Sequence, residues 1–221
     1  MQMLVRVAAV LVLLGGLVLG AAWMGFIDIP GITPVERRVG VPPTVQLEGP
    51  QPVTAVLSHA LVIDSWRTYE TPRDLVPALG SRLPEMLFYV SVVDAGERGR
   101  QFELLAGPAT SALEADALRG PLAEVLDRYD PASWRVVDAP LAFFFGEYPD
   151  REAADARAAQ LDGLGVPAYV LQVEYEGART AYRVYGGAFS DEFQAAAMAA
   201  LIGEAGLSDI PLIERRGHRP E

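Results

Sequence analysis

The sequence predicts an α+β protein with two tandem β-α-β-β-α-β units, each built on an antiparallel sheet, after an N-terminal transmembrane helix and a Pro-rich linker. Three observations predict this organisation. An uncharged apolar run opens the chain, a Pro-rich stretch follows it, and a strand-glycine-helix pattern then returns after about 80 residues. The predicted segments are residues 1–28 (anchor), 29–54 (linker), 55–138 (first unit), 139–214 (second unit) and 215–221 (tail).

The first of these observations is the apolar run at residues 7–27, which contains no charged side chain. At about 1.5 Å of rise per residue, a helix of this length crosses the roughly 30 Å hydrocarbon core of a bilayer. The alternative is a cleaved signal peptide, because Gly20-Ala21-Ala22 offers small residues at a plausible cleavage point. The following stretch, residues 29–54, is rich in proline, which disfavours helices and sheet ladders, so we expect an extended spacer.

The repeat is clearest where a strand runs through a glycine into a helix. The two copies read FELLAGPAT from residue 102 and YRVYGGAFS from residue 182, with Gly107 and Gly187 in register. Capping residues then start the second helix of each unit: Ser111 in the first copy, and Ser190 ahead of two acidic residues in the second. The pattern therefore predicts the same element order twice.

The remaining elements follow from similar local signals. Thr71 before Pro72 predicts the start of the first helix in the first unit, and Asp150 predicts it in the second. Alternating or apolar runs predict further strands at residues 86–93, 134–137, 168–175 and 210–213. Each unit of about 70 residues is near the lower limit for an independent core.

Composition excludes several function classes. The 221 residues carry a formal net charge of -11 without a basic stripe, which argues against nucleic-acid binding. The chain has no cysteine and only two histidines, His59 and His218, neither in a ligand spacing. We therefore predict no metal, no cofactor and no catalytic activity. The carboxylates of Glu147, Asp150 and Glu152 could suggest a glycoside hydrolase, but we interpret them as solvent-exposed residues at the start of a helix.

Residues 140–213 resemble the SPOR (sporulation-related repeat) family of peptidoglycan-binding modules. The motifs that carry this resemblance are FFFGEY from residue 143, DREA from 150, GVPAYV from 165, YRV from 182 and GAFSD from 187. The first copy, residues 59–137, is a more diverged version. The order of these segments, with an anchor, a Pro-rich spacer and a C-terminal SPOR-like unit, is similar to the usual layout of proteins that contain this module.

The resemblance implies a ferredoxin-like unit, with a four-stranded antiparallel sheet and two helices on one face. It also implies a non-catalytic protein of the bacterial inner membrane, with one membrane pass and its C-terminal part in the periplasm. The expected partners are peptidoglycan glycan strands stripped of their peptides, together with periplasmic proteins of cell division or wall remodelling.

In this family the glycan lies on the sheet face that carries no helices. Side chains alternate along a strand, so Phe144 points to that face if its neighbours in the chain point to the helices. Arg183 and Tyr185 share a face by the same reasoning, and Gln172 is a further candidate on the second strand. Aromatic rings can stack on sugar C–H groups, while guanidinium and amide groups can bind sugar oxygens.

Two positions depart from the family pattern. The family usually has glutamine where this chain has Phe144, and a small residue where it has Glu147. The alternative is therefore a degenerate SPOR module that serves as a periplasmic protein-protein interaction domain. In that case the first unit, or a protein partner, covers the aromatic face.

Overall fold

The computed structural model describes Thr44, Leu47 and residues 49–220. Strands and helices follow one another there in the predicted order. They are β1 (His59–Trp66), α1 (Glu70–Arg82), β2 (Leu87–Asp94), β3 (Arg100–Ala109), α2 (Ala112–Ala117), α3 (Arg119–Val125), β4 (Arg135–Asp138), β5 (Leu141–Tyr148), α4 (Arg151–Gly163), β6 (Tyr169–Tyr175), β7 (Arg179–Phe189), α5 (Glu192–Glu204) and β8 (Leu212–Glu214).

Both sheets have the same strand order. The first sheet is ordered β2-β3-β1-β4 and the second β6-β7-β5-β8, and all neighbouring strands are antiparallel. The predicted α+β class with antiparallel four-stranded sheets is therefore confirmed for the described residues. Both sheets belong to one compact unit, so the predicted boundaries at 55–138 and 139–214 stay predictions.

The predicted transmembrane anchor, residues 1–28, lies outside the described residues, as does most of the predicted linker at 29–54. Within the described part, no helix is long and apolar enough to cross a membrane.

Helix starts follow local capping chemistry in three of the five helices. The side chains of Ser111, Asp150 and Asp191 each accept a hydrogen bond from the backbone N–H three residues later, at 3.2, 2.8 and 2.8 Å. Asp191 caps α5, where the preceding Ser190 was the expected first signal. These caps fix where the chain turns from strand into helix in both units.

Two details of the first unit differ from expectation. Helix α1 already begins at Glu70, and Tyr69 before it provides no side-chain cap. The second helical segment is divided into α2 and α3. Pro121 explains the division, because it has no N–H to donate to the carbonyl of Ala117.

Each sheet buries one face under its own helices. In both units, alternate residues of the strands pack against apolar residues of the helices, which is the predicted period-2 pattern. The first helix-side core contains Leu61, Ile63, Phe88, Leu104, Leu79 and Leu122. The second contains Phe143, Phe145, Val184, Leu161, Met198 and Ile202, together with Val90 and Val92 of β2.

The opposite faces of the two sheets pack on each other. We call this cluster the inter-sheet core; its members are Leu57, Ala60, Val62, Tyr89, Leu105, Ala139, Ala142, Tyr169, Leu171, Tyr185, Ala188 and Ile213. Tyr89 pairs with Leu105, and 80 residues later Tyr169 pairs with Tyr185, so the two tyrosines occupy equivalent positions. Their rings stack at 4.4 Å between centroids. The two units therefore meet through equivalent surfaces, as the halves of a two-fold dimer do.

Polar contacts fasten the two units at the rim of this core. The hydroxyl of Ser91 donates to the carbonyl of Ala188 and accepts from its N–H, both at 3.0 Å. Arg100 forms a bidentate ion pair with Glu204 at 2.6 and 2.8 Å. The buried hydroxyl contact contributes more reliably than the exposed ion pair, because solvent screens the latter.

The residues that the sequence predicts as the tail, 215–221, are described up to residue 220. Gln172 and His218 exchange backbone hydrogen bonds of 2.8 and 2.9 Å at the outer edge of β6. Val53 donates to Glu174 on the same edge at 2.8 Å. The tail thus pairs with an edge strand, whose uncovered backbone groups it satisfies.

Arg215 is the most deeply buried charged residue of the described part, with no solvent exposure. Its Nη1 donates to the hydroxyl of Tyr89 at 2.5 Å, and its Nη2 donates to the carbonyls of Ala139 and Leu57 at 2.9 and 3.2 Å. These partners belong to β2, to the connection between the units and to the segment before β1. One side chain from the C-terminus thus joins three parts of the chain.

We expect Arg215→Met to destabilise the fold, although it nearly conserves side-chain volume. It would leave the Tyr89 hydroxyl and two buried carbonyls without donors, at about 1–3 kcal/mol for each group that stays unsatisfied. The free energy of unfolding should fall by about 3 kcal/mol or more in urea denaturation followed by circular dichroism. The matched control, Arg179→Met, removes a side chain that is 60% exposed. A loss below about 1 kcal/mol for Arg215→Met would contradict the role of this residue.

Candidate functional site

The helix-free face of the second sheet carries three of the four residues predicted for glycan contact. Phe144 and Tyr185 are directly paired across β5 and β7, with ring centroids 6.1 Å apart. The guanidinium carbon of Arg183 lies 5.4 Å from the centroid of the Phe144 ring. Phe143 and Phe145 point to the helices, as the alternation predicts. The structure therefore brings Phe144, Arg183 and Tyr185 together.

Gln172 does not lie with them, and the prediction that it shares their face is wrong. In β6 it is Leu171 that pairs directly with Arg183, and Tyr169 pairs with Tyr185. Directly paired residues point to the same face, so Gln172 points to the helix side with Val170. Alternation alone does not assign Tyr169 to this face. Its face depends on the register of the β6–β7 hairpin, which the turn after Tyr175 sets.

A β-bulge adds Glu147 to the same face. The pairing of β5 with β7 shifts by one residue between Phe144 and Gly146, and Gly146 adopts a φ of +133° that favours glycine. As a result Glu147 pairs directly with Arg183 across the strands. Without the bulge, simple alternation would have placed this carboxylate on the helix side.

Arg183, Glu147 and Tyr175 form one polar cluster. Arg183 donates from Nε to Glu147 Oε2 at 2.9 Å and from Nη2 to the Tyr175 hydroxyl at 2.9 Å. Tyr175 in turn donates to Glu147. Burial, followed by the hydrogen bond to Glu147, raises the pKa of Tyr175, which keeps its hydroxyl protonated as a donor. The charge of Arg183 is thus balanced by a carboxylate of its own sheet.

The face itself is largely covered. Tyr185 has no solvent exposure and Arg183 retains 3%. Tyr185 is a member of the inter-sheet core, where the first unit and the Tyr169 ring lie against it. The alternative in which the first unit covers this face therefore holds at Tyr185, because side chains of the first unit occupy that space.

The family model of the SPOR domain matches residues 145–212, which run from β5 to β8. The second unit is a SPOR domain. No curated protein and no solved structure gives a significant match to the chain. The SPOR match indicates a peptidoglycan-binding module rather than an enzyme. It does not extend to the first unit, whose likeness to the SPOR domain is the shared strand order.

One part of the SPOR face still borders open space. A cavity of about 290 Å³ lies between the β5–β8 side of this face and the segment that precedes the first unit. We call it the Arg183 cavity; it is lined by Thr44, Leu47, Gln51, Leu141, Arg183, Ile213, Glu214 and Arg216. Its size is at the lower end for small-molecule sites. Apolar walls with a few polar groups are typical of such sites.

The guanidinium of Arg183 has donors to spare at this cavity. Besides the bonds to Glu147 and Tyr175, its Nη1 donates to the Tyr185 hydroxyl at 3.5 Å. Three of its five N–H groups thus have partners among the described residues. The remaining two have no partner among the described residues.

Glu147, Asp150 and the two histidines make structural contacts in the SPOR domain and its surroundings. Glu147 is paired with Arg183, and Asp150 caps α4. His59 contacts the hydroxyl of Ser58 at 2.8 Å, and the backbone of His218 pairs with β6. In the described part of the chain, no group of three or more His, Cys, Asp or Glu could hold a metal ion.

Proposed function

We propose that this protein is a non-catalytic envelope protein that binds the glycan strands of peptidoglycan through its SPOR domain. The observation that supports this most is the Arg183 cavity, where a nearly buried guanidinium borders a space of about 290 Å³ that has both apolar and polar walls. Such a combination suits a sugar, which offers C–H groups to apolar side chains and oxygens to donors. A role at sites of cell division or wall remodelling is part of this proposal.

The chemistry of the lining supports a sugar ligand in more detail. The apolar walls are Leu141, Ile213 and Leu47. The amide oxygen of Gln51 provides an acceptor, while its Nε2 donates to the carbonyls of Leu47 and Gly49 at 2.7 and 3.5 Å. Phe144 lies beside Arg183 and is only half-buried. Gln51 would therefore take over the polar contact that the SPOR family usually makes with a glutamine at the position of Phe144.

A second candidate function is a protein-interaction module that has kept the SPOR fold. The observation that favours it is the burial of Tyr185 and Tyr169, because the SPOR face already binds another sheet face inside this chain. In this alternative the pairing with the first unit replaces the glycan, and the Arg183 cavity has no sugar ligand.

We also propose that residues 1–28 anchor the protein in the bacterial inner membrane, with the SPOR domain in the periplasm. The uncharged run at residues 7–27 supports this proposal. A periplasm-dependent reporter fused to the C-terminus should be active, and salt-washed membranes should retain the fusion protein. Activity of a cytoplasm-dependent reporter at the same position would contradict the orientation.

Co-sedimentation of the full-length protein with peptidoglycan tests the glycan function. We expect more protein to sediment with amidase-treated sacculi, which carry denuded strands, than with intact sacculi. Arg183→Lys should reduce binding severalfold, because lysine keeps the charge but loses the planar fork of donors. Arg128→Lys is the matched control, since Arg128 is exposed in the first unit and does not line the cavity.

Failure of the folded wild-type protein to sediment with either preparation would contradict glycan binding and favour the protein-interaction alternative. Because Arg183 is buried, the circular dichroism spectrum and the unfolding midpoint of Arg183→Lys must be compared with those of the wild type. Equal loss of binding in both lysine variants would also contradict a specific role of the Arg183 cavity.

A further inference from the structure

A segment that precedes the first unit runs from one edge of the SPOR sheet to the other. Thr44 forms a parallel bridge with Leu212 of β8, the strand at one edge. Val53 donates to the carbonyl of Glu174 in β6, the strand at the opposite edge, at 2.8 Å. We call Thr44, Leu47 and residues 49–53 the crossing segment, because they span all four strands of this sheet.

Between these two ends the crossing segment lies over the helix-free face. Leu47 packs against the inter-sheet core, to which Ile213 of β8 belongs. Thr44, Leu47 and Gln51 line the Arg183 cavity together with side chains of β5, β7 and β8. The crossing segment therefore covers the part of the SPOR face that the first unit leaves open.

The closed cavity suits a single small molecule better than a polymer. Its volume of about 290 Å³ is at the lower end for small-molecule sites. A glycan strand continues on both sides of any one sugar, so it would have to be threaded beneath the crossing segment. A long strand can reach Arg183 without threading only if one end of this segment detaches from the sheet.

The end at Val53 is held firmly. The chain that follows it is paired with the C-terminal residues, since Leu57 donates to the carbonyl of Arg215 at 2.8 Å. Arg216 also donates to the carbonyl of Thr54 at 3.3 Å. Leu57 itself is 4% exposed and belongs to the inter-sheet core. This end therefore stays attached as long as the two units are folded together.

The end at Thr44 is held mainly by one exposed side chain. Its N–H and Oγ1 both donate to Oε1 of Glu192, at 2.9 and 2.7 Å. These bonds lower the pKa of the Glu192 carboxyl, which is therefore ionised and a strong acceptor at neutral pH. Both residues are exposed, so water can replace each partner when the contact breaks.

The middle of the crossing segment adds little attachment to the sheet. Within the described part of the chain, Leu47 and residues 49–52 make hydrogen bonds only among themselves. These bonds run from Nε2 of Gln51 to the carbonyls of Leu47 and Gly49. Segments with few buried contacts and exposed hydrogen bonds open locally at a low free energy. Detachment at Thr44 thus breaks the Glu192 contact, the bridge to Leu212 and the packing of Leu47.

We infer that the crossing segment controls access to the SPOR face, and that the contact between Thr44 and Glu192 holds it closed. This inference rests on the proposed glycan function and concerns the regulation of that same site. When Thr44 detaches, the cavity becomes an open groove lined by Arg183, Leu141 and Ile213. Gln51 remains near this groove, because the attachment at Val53 persists.

Thiol alkylation measures this opening without any ligand, since the chain has no cysteine of its own. Ile213→Cys places a thiol in the cavity lining, at a position that is 4% exposed. Ala142→Cys is the matched control, because Ala142 pairs with Ile213 and is fully buried but does not line the cavity. In the full-length protein, we expect a maleimide to modify Ile213→Cys faster than Ala142→Cys.

Thr44→Val removes one of the two donors to Glu192. It should raise the alkylation rate of Ile213→Cys about two- to tenfold, which is the effect of losing one ordinary hydrogen bond. The rate of Ala142→Cys should not change. Thr180→Val, at an exposed threonine of β7 outside the cavity lining, should change neither rate. An unchanged rate of Ile213→Cys in Thr44→Val would overturn the inference. An equal rise at both thiols would do so too, because it indicates a general opening of the fold.

A reversible cross-link connects this opening to binding. Thr44→Cys and Glu192→Cys in the same full-length chain are joined by a bifunctional maleimide whose spacer a reductant cleaves. The cross-linked protein should sediment much less with amidase-treated sacculi than the uncross-linked protein, and cleavage of the spacer should restore binding. Thr44→Val should tighten binding by the factor by which it speeds alkylation, because affinity follows the population of the open form.

The two readouts separate this inference from the function on which it rests. If the cross-linked and cleaved proteins bind equally well, the crossing segment does not control access, while glycan binding stands. If no folded form binds sacculi but Thr44→Val still speeds alkylation of Ile213→Cys alone, the closure of the face is supported and the glycan function fails.

Discussion

The buried guanidinium of Arg215 is the interaction on which the arrangement of the two units depends. It donates to Tyr89 in the first sheet and to the carbonyls of Leu57 and Ala139, and all of these partners are neutral. A buried cation is costly unless its donors are satisfied, so the groups that accept from Nη1 and Nη2 must stay in place around it. The Nε of Arg215 has no partner among the described residues. Fixing Tyr89 also fixes the ring that stacks on Tyr169 of the SPOR domain. These two contacts join the units at the inter-sheet core.

The packing of the first unit on the SPOR face decides how much of that face can contact a ligand. The part around Tyr185 and Tyr169 lies against the first unit and contributes apolar burial to stability. The part around Arg183 borders a cavity and keeps free donors. Glu147 neutralises Arg183 within the sheet, which allows the cation to be nearly buried without a ligand. One face thus serves partly as an internal interface and partly as the proposed binding site.

The elements of the fold could be predicted because their signals are local. The capping residues Ser111 and Asp150 and the glycines at 107 and 187 mark the same positions in both units. Alternation likewise predicted that Phe144, Arg183 and Tyr185 share a face. It failed for Gln172, because the face of a strand depends on hairpin register, and for Glu147, because a bulge at Gly146 shifts the alternation.

The sequence could not decide between the first unit and a protein partner as the cover of the aromatic face, since alternation says which side chains point together but not what lies opposite them. The repetition of tyrosine at 89 and 169, in equivalent positions of the two units, was the available sign of a shared interface. Arg215 gave no such sign, because arginine in a polar C-terminal segment is mostly exposed. The most direct measurement of the central claim is the nuclear Overhauser effect between the ring protons of Tyr89 and Tyr169 in the folded protein. With ring centroids 4.4 Å apart, the two side chains should give strong cross-peaks. Their absence in a folded, assigned protein would contradict the packing of the SPOR face on the first unit.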